Sequence, residues 1–293
     1  MVLAAVTTMA SGCGDRDDSA PVPQPTVTAA RAPAYDGTLP PAKAVLALVP
    51  VSARTLAVTD YDQVKLELGM TQVTGGSGQV KELWTRAERL AVLTSGRLRG
   101  VDEQLQSGYG FSQADVSWEA DFHGDGGSDG WVLRLRDGVD MGNVQRAVRD
   151  RVGPLRGAQV DARNHLVSHN AAARGQENWA AQPGLADLVV GPALATYVER
   201  GCLAGDPGDE RLAPLDAYAV EFGGILATAR LGAGRDDLFA RLRLGRSLPE
   251  FARVFQRGVA DPTSGRIGFE MSTPADAADL TLRRRLPFAV CSA

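Results

Sequence analysis

Apolar and polar residues alternate along several short segments of the chain. In residues 116–136 apolar side chains recur at every second position on both sides of a glycine-rich loop, which predicts a β-hairpin with one buried face. A second pair of alternating runs flanks Gly223 and Gly224, and two glycines between such runs are typical of a tight hairpin turn. A third, shorter hairpin is predicted over residues 157–171.

Other segments have the spacing of helices. The clearest is residues 77–93, where apolar side chains recur three and four positions apart. Asp60 is the predicted N-cap of an earlier helix, with Gln63 three residues on and Gly69 at its end. Helices are also predicted in the second half of residues 184–201, near 235–244 and at 248–259. The last strands are predicted at 267–271 and 280–290.

Strand pairs followed by helices recur near residues 55–105, 116–152 and 216–259. This order predicts an α+β fold, an antiparallel sheet with helices packed on one face. Because the pattern recurs, one hypothesis is that the domain consists of two related halves with a boundary near residue 180.

The first 42 residues differ in composition from the remainder. Residues 1–12 are short, apolar and end in small residues, which is typical of a signal peptide, although the positively charged n-region is missing. Residues 13–42 hold Cys13 and six prolines, and such a segment cannot bury enough apolar area to order itself. We therefore expect a signal peptide, a tether over 13–42, and a globular α+β domain over 43–293.

The sequence "ASGC", which ends at Cys13, resembles the lipobox of bacterial lipoproteins. It departs from that pattern at Ala10, where leucine or valine is usual. The resemblance implies that the Cys13 thiol is diacylated and becomes the new N-terminus. The expected location is then the extracytoplasmic face of the cell membrane, held by a lipid anchor.

The whole layout resembles a large group of lipoproteins from high-GC Gram-positive bacteria. The likeness rests on the anchor, the tether and stretches such as "TLAVTDYDQVKLELG" and "YGFSQADVSWEADF". That group has no assigned activity, so the resemblance implies a location and nothing about chemistry.

Two cysteines remain once Cys13 is assigned to the anchor. Cys202 and Cys291 would lie in an oxidising compartment, where an even number of cysteines tends to pair. We expect a disulfide between them. Two buried free thiols are the alternative, and neither cysteine has a histidine nearby that would suggest catalysis.

Composition narrows the range of partners. The net charge is −4, so no global basic field would attract nucleic acid. No run approaches the roughly 20 apolar residues of a membrane-spanning helix. We predict a membrane partner through the lipid anchor, no nucleic acid and no cofactor, with an envelope protein or small molecule as the unidentified ligand.

Acidic residues and a histidine are concentrated in the glycine-rich loop of the first hairpin. Asp121, His123, Asp125 and Asp129 are weak candidates for a metal site, because acidic oxygens among glycines can surround Ca²⁺. The ligand order of an EF-hand is absent, and aspartate and glycine are also ordinary residues of hairpin loops. The favoured interpretation is a solvated loop.

Two further patterns carry weak signals. His165 and His169 are four residues apart and would share a face of a helix or a strand, which is one geometry for Zn²⁺. The basic run at 283–285 could contact anionic headgroups, or protect a strand edge with charge. An ordinary surface hairpin and a charged strand edge are the favoured interpretations.

Two functional hypotheses remain. We favour a lipid-anchored extracytoplasmic protein that acts by binding or scaffolding. The alternative is a cell-envelope hydrolase with a His/Asp site built on His123 and either Asp121 or Asp125. A deep pocket with a histidine and a hydroxyl nucleophile would favour the enzyme, and a shallow groove or an apolar patch would favour binding.

Overall fold

The computed structural model describes residues 32–125, 129–208 and 210–292. The strands of this described part join into one open antiparallel sheet. They are β1 (Ala53–Asp60), β2 (Val116–Gly124), β3 (Gly130–Leu135), β4 (Gln159–Asp161), β5 (Leu166–His169), β6 (Ala195–Arg200), β7 (Ala217–Gly223), β8 (Leu226–Arg230), β9 (Phe255–Asp261) and β10 (Arg266–Met271).

The strand order repeats itself. It is β4-β5-β3-β2-β1-β6-β7-β8-β10-β9 across the sheet. Counted outward from the centre, the first five strands run 1-2-3-5-4 and the last five run 6-7-8-10-9. Each half therefore has three consecutive strands side by side, followed, after helical residues, by a hairpin that attaches with its second strand. The halves join where β1 and β6 pair antiparallel, so the described chain has one sheet built from two topologically equivalent parts.

Helices precede or follow these strands. They are α1 (Pro41–Ala44), α2 (Tyr61–Glu67), α3 (Val80–Ala87), α4 (Asp102–Tyr109), α5 (Met141–Arg149), α6 (Pro183–Leu188), α7 (Leu238–Ser247), α8 (Pro249–Val254) and α9 (Pro274–Leu282). None of the described helices is both long and apolar enough to cross a membrane. The α+β class and the antiparallel sheet predicted from the sequence are confirmed.

Most helices pack on one side of the sheet, which we call the helical face. Its core joins strand residues such as Ala57, Leu133 and Val220 to residues of α2–α5 and α7–α9, including Val64 and Leu238. The helical face carries the larger of the two cores, because seven of the helices contribute apolar side chains to it.

A smaller layer covers the opposite face of the first half. Leu46, which follows α1, and Trp179 pack there with Leu185 of α6. They bury Trp118 and Phe122 of β2. The β2–β3 hairpin is therefore buried on both faces, which corrects the expectation of one buried face.

The predicted caps of α2 are confirmed. The Asp60 side chain accepts hydrogen bonds from the backbone N–H groups of Asp62 and Gln63, each at 3.0 Å. Gly69 follows the helix with a φ of +66°, the left-handed conformation that glycine adopts without a steric penalty. A short side chain and a glycine thus set both ends of this helix.

Three assignments from the sequence are wrong. The second half of 184–201 forms β6 and is not helical. Residues 255–259 belong to β9, because Phe255 and Val259 pair with β10 and the chain leaves α8 at Val254. Residues 280–290 form the end of α9 and a short turn instead of a strand. In each case the apolar spacing fits either period over a few residues. Pairing with neighbouring strands decides the first two cases, whereas residues 280–282 continue a helix.

The cysteine pair is found where it was expected. Cys202 and Cys291 are bonded, with Cα atoms 5.7 Å apart. The adjacent residues reinforce the tie, since the Leu203 N–H donates to the Ala289 carbonyl at 3.0 Å. The bond fastens the last described residues to the segment between β6 and β7.

Candidate functional site

A groove opens on the helical face where the two halves of the sheet meet, and we call it the central groove. Its volume is about 350 Å³. The first half contributes Arg54, Thr55, Ala57, Leu93, Asp121, His123, Gly124 and Asp125, and the second half contributes Tyr197, Leu282 and Arg284. Sites between two structural units are common places for ligands, since each unit supplies one wall.

An aromatic pocket of about 280 Å³ adjoins the central groove and shares Leu93 and Leu282 with it. Tyr61 and Trp84 form its wall and pack edge to face, with ring centroids 5.4 Å apart. The Arg99 guanidinium lies 5.2 Å from the centroid of the Trp84 ring. The two cavities together offer a ligand a charged end and an apolar end.

The floor of the central groove holds a fully buried carboxylate, Glu199 of β6. Its Oε2 accepts hydrogen bonds from the hydroxyls of Tyr197 at 2.8 Å and Tyr218 at 2.7 Å. Its Oε1 accepts one from Arg284 and lies 3.6 Å from Nε of Arg54. A carboxylate without solvent needs such partners, so Glu199 and its two arginines form one unit.

A second ion pair lies on β2. Arg97 donates a hydrogen bond to Asp121, and its guanidinium lies 5.1 Å from the centroid of the Trp131 ring. Asp121 is therefore committed to an arginine. This contact leaves it poorly suited to orient His123 as the hydrolase alternative requires.

The structure brings the candidates of the first hairpin into one neighbourhood. Asp121, His123 and Asp125 line the central groove, and Nδ1 of His123 lies 3.2 Å from Oδ1 of Asp129. The side chains of His123 and Asp129 are 63% and 61% exposed, so water competes for this pair. Within residues 32–125, 129–208 and 210–292, no group of three or more potential ligands has the arrangement of a metal site.

The two histidines of the β4–β5 hairpin do not form a pair. His165 lies in the turn with a φ of +54°, outside β5, so the alternation that would place it on the face of His169 is interrupted. His169 instead stacks on Trp131, with ring centroids 6.2 Å apart. The shared-face expectation for these residues is wrong.

The basic run at 283–285 follows α9 and is not a strand edge. Each arginine has a different acidic partner. Arg283 pairs with Asp279, Arg285 donates to Glu250 at 2.7 Å, and Arg284 alone points to the buried Glu199. Arg284 therefore lies in the central groove, whereas Arg283 and Arg285 form ion pairs on the exposed surface.

Glu119 is a second buried carboxylate on the helical face, with an exposed fraction of 1%. Its Oε2 accepts hydrogen bonds from the backbone N–H of Arg97 at 3.0 Å and from Nε2 of Gln113 at 3.1 Å. Burial raises the pKa of Glu119 from 4.5 to about 7, with a further increase from nearby Asp121. Its charge state therefore changes near neutral pH.

We expect this carboxyl to make folding stability dependent on pH. The pKa of Glu119 is higher in the folded protein than in the unfolded chain, so protonation of Glu119 favours folding. This contribution is complete below the unfolded pKa near 4.5 and is lost as the pH rises through about 7. The shift corresponds to about 3 kcal/mol in the free energy of unfolding. Urea unfolding of Glu119→Gln between pH 4 and pH 8 should lack this loss.

Glu82→Gln is the matched control, because Glu82 is 60% exposed on α3. It should keep the pH profile of the parent protein. Equal pH profiles for Glu119→Gln and the parent would show that Glu119 does not titrate in this range.

A larger cavity, of about 540 Å³, lies elsewhere, beside β4 and β5. We call it the edge cavity. It is lined by Tyr35, Leu48, Gln159, Asp161, Ser168, Asn178 and neighbouring residues, all from the first half of the chain. We favour the central groove despite its smaller volume, because both halves build it and buried charged groups organise its floor.

Sequence reasoning missed Glu199, Arg54 and Arg97. The apolar spacing predicts a helix over residues 195–200, and on a helix Glu199 has no distinctive position. As a strand, Ala195, Tyr197 and Glu199 share one face, and a glutamate on an otherwise apolar face is a detectable signal. No comparable local signal identifies Arg54 or Arg97, because surface arginines are common in this chain.

Comparison with protein-family models, with curated proteins and with solved structures found no match to this chain.

Proposed function

We propose that the protein is a lipid-anchored binding protein on the extracytoplasmic face of the cell membrane, and that its ligand occupies the central groove. The observation that carries the binding role is the groove itself, an open cavity walled by both halves over the buried Glu199 unit. Its volume of about 350 Å³ lies within the range of roughly 300–1,000 Å³ that is usual for small-molecule sites.

The groove can hold a ligand without major rearrangement. Glu199 receives hydrogen bonds from two tyrosines and one arginine, so its floor is already ordered. Leu282 is 45% exposed and offers apolar area at the junction with the aromatic pocket. A preorganised cavity with a few fixed polar groups and exposed apolar walls is suited to reversible binding.

Filling the groove tests its role. Thr55 is a half-buried strand residue that lines the central groove, and Ser168 is a half-buried strand residue that lines the edge cavity. The full chain is purified from the envelope of its own cell, and small molecules released from it are identified by mass spectrometry. We expect Thr55→Trp to lose the bound molecule and Ser168→Trp to retain it.

The opposite pattern would move the site to the edge cavity. Retention of the molecule by both variants would exclude both cavities and overturn the proposed binding role of the groove.

The anchor is proposed from the sequence. Cys13 and the first part of the tether lie outside the described residues, and the support is the small-residue run before Cys13 with the proline-rich segment after it. Stable attachment needs two or more acyl chains, which lipidation of this cysteine would supply.

Cys13→Ser should move the protein from the membrane to the soluble fraction and remove labelling by a radioactive fatty acid. The full chain is expressed with a basic n-region added before Met1. Ser19→Ala, in the tether, is the control and should remain in the membrane. Unchanged labelling of Cys13→Ser would contradict the anchor.

The cell-envelope hydrolase is kept as the second candidate because of one contact. Nδ1 of His123 lies 3.2 Å from Oδ1 of Asp129. Thr55 of β1, which carries a hydroxyl, pairs with His123 of β2. If the protein is a hydrolase, the His123→Ala variant should carry the intact molecule and the parent protein should release a cleaved product. A binding protein predicts the same molecule from both.

A further inference from the structure

Two arginines of the central groove converge on one carboxylate oxygen. Nη2 of Arg284 donates to Oε1 of Glu199, and Nε of Arg54 lies 3.6 Å from the same atom. Glu199 is fully buried, whereas the side chains of Arg54 and Arg284 are 42% and 43% exposed. The carboxylate is thus beneath the two guanidinium groups, which face the open cavity.

This unit has unused charge and unused donors. Two guanidinium groups and one carboxylate leave one net positive charge. Each guanidinium carries several N–H donors. Within the part of the chain that the structure describes, Arg284 uses one of them on Glu199 and Arg54 makes an ion pair without a hydrogen bond. Two planar guanidinium groups with free donors match the geometry of an oxyanion.

The backbone of Arg284 is held in an uncommon conformation. Its φ is +59°, in the left-handed region that non-glycine residues seldom occupy. Arg283 and Arg285, on either side, pair with exposed partners outside the groove. The Arg285 N–H donates to the Leu280 carbonyl at 2.8 Å, so this conformation belongs to the C-terminal turn of α9, after which Arg284 lines the cavity.

The other charged groups of the cavity differ in their effect on this site. Asp121 is paired with Arg97, and His123 lies close to Asp129. Asp125 is a further carboxylate in the turn after β2, and it opposes an anion. Its negative charge lowers the affinity of the cavity for an anion, and replacing Asp125 with asparagine would remove that charge.

We propose that Arg54 and Arg284 bind the oxyanion of an organic ligand, a phosphate or a carboxylate, whose apolar part lies over Leu282 and Leu93. This inference rests on the proposed function, because it names the class of ligand for the same groove. Glu199 is the positioning residue that holds the two arginines. The apolar part extends from the groove toward the aromatic pocket that shares both leucines.

Three small probes separate charge from apolar contact. Octyl phosphate, octanoate and octanol share one apolar chain and differ in the headgroup. Isothermal titration calorimetry on the full chain should show binding of one or both anions, and octanol should bind about tenfold more weakly or worse. The stronger of the two anions identifies phosphate or carboxylate as the preferred group.

Substitutions locate the site. Arg54→Ala and Arg284→Lys should each weaken binding of the preferred anion about tenfold or more, because a charge-assisted hydrogen bond or a bidentate fork is lost. Arg283→Ala and Arg285→Ala are the controls and should leave it unchanged. Asp125→Asn should tighten it. Arg54→Ala is the main test, because removing Arg284 entirely would leave Glu199 without its hydrogen-bonded arginine.

The inference is overturned if octanol binds as tightly as the anions, or if Arg283→Ala weakens binding as much as Arg284→Lys. Absence of binding by all three probes also overturns it. These results differ from failure of the proposed function. A native molecule that is lost in Thr55→Trp but unaffected by Arg54→Ala would keep the groove as the binding site and reject the anion.

Discussion

Replacing Arg241 with methionine is expected to destabilise the protein by about 2–5 kcal/mol, because buried carbonyl groups lose their donor. Arg241 lies on α7 and is fully buried. Its Nε donates to Asp237 at 2.9 Å, and its Nη1 donates to the carbonyls of Phe288 and Val290, each at 2.7 Å. Its Nη2 also donates to the carbonyl of Ala213. Methionine fills most of the volume but removes the donor to the carbonyls of Phe288 and Val290. Asp237 and the Ala213 carbonyl still accept hydrogen bonds from Arg235.

Arg243→Met is the matched control, two residues further along the same helix. Arg243 is 59% exposed and donates to Glu210 at 2.7 Å. An exposed ion pair contributes about 0–1 kcal/mol. Urea unfolding of both variants measures the difference. Similar midpoints for Arg241→Met and Arg243→Met would show that the buried hydrogen bonds add little to stability.

Removing the disulfide is expected to have a comparable effect. Cys202 and Cys291 are 89 positions apart, and the chain-entropy model gives a loop of that size about 4–5 kcal/mol. The double variant Cys202→Ser/Cys291→Ser should therefore lose about that much free energy of unfolding. Reduction of the parent protein with a thiol should reproduce the loss, and it is the control for effects of the serines.

A loss below about 1 kcal/mol in both experiments would contradict the role assigned to the bond. The disulfide and Arg241 hold the same segment, residues 288–291, against the loop that contains Ala213. Their contributions are therefore not expected to add, because loosening this segment removes part of both.

Much of the local structure could be predicted from the chain. Alternation identified the β2–β3 and β7–β8 hairpins, and the Gly224 turn is where the paired glycines placed it. The caps at Asp60 and Gly69 were correct, because a helix end depends on a few adjacent residues. These features involve contacts between near neighbours in sequence, which is why patterns identify them.

Two of the errors have a common cause, and residues 280–290 are the reverse case, a predicted strand that forms a helix end and a turn. The wrongly assigned segments are short, and their apolar spacing fits a helix as well as a strand. They are residues 195–200, 255–259 and 280–290. Thr196 and Val198 are in a strand because β1 and β7 lie on either side of them. Pairing with distant segments overrode the local preference, and that pairing is invisible in a short window.

The candidate site could be predicted only in part. Asp121, His123 and Asp125 were named from the sequence, and the structure places them in the central groove. Glu199 and Arg284 were not recognised as a unit. Glu199 of β6 and Arg284, which follows α9, come into contact on the helical face. They are 85 positions apart in the sequence, so no local spacing pattern predicts this contact.

The sequence by itself determined the α+β class, the antiparallel hairpins, the helix caps and the pairing of Cys202 with Cys291. These follow from residue type and short-range periodicity, and in the case of the cysteines from their number. The tertiary structure alone decided the repeated strand order, the second helical layer and the partners of the buried charges. A charged residue is stable inside a protein only where specific partners reach it, and which partners reach Glu199 or Arg241 depends on how the distant segments pack.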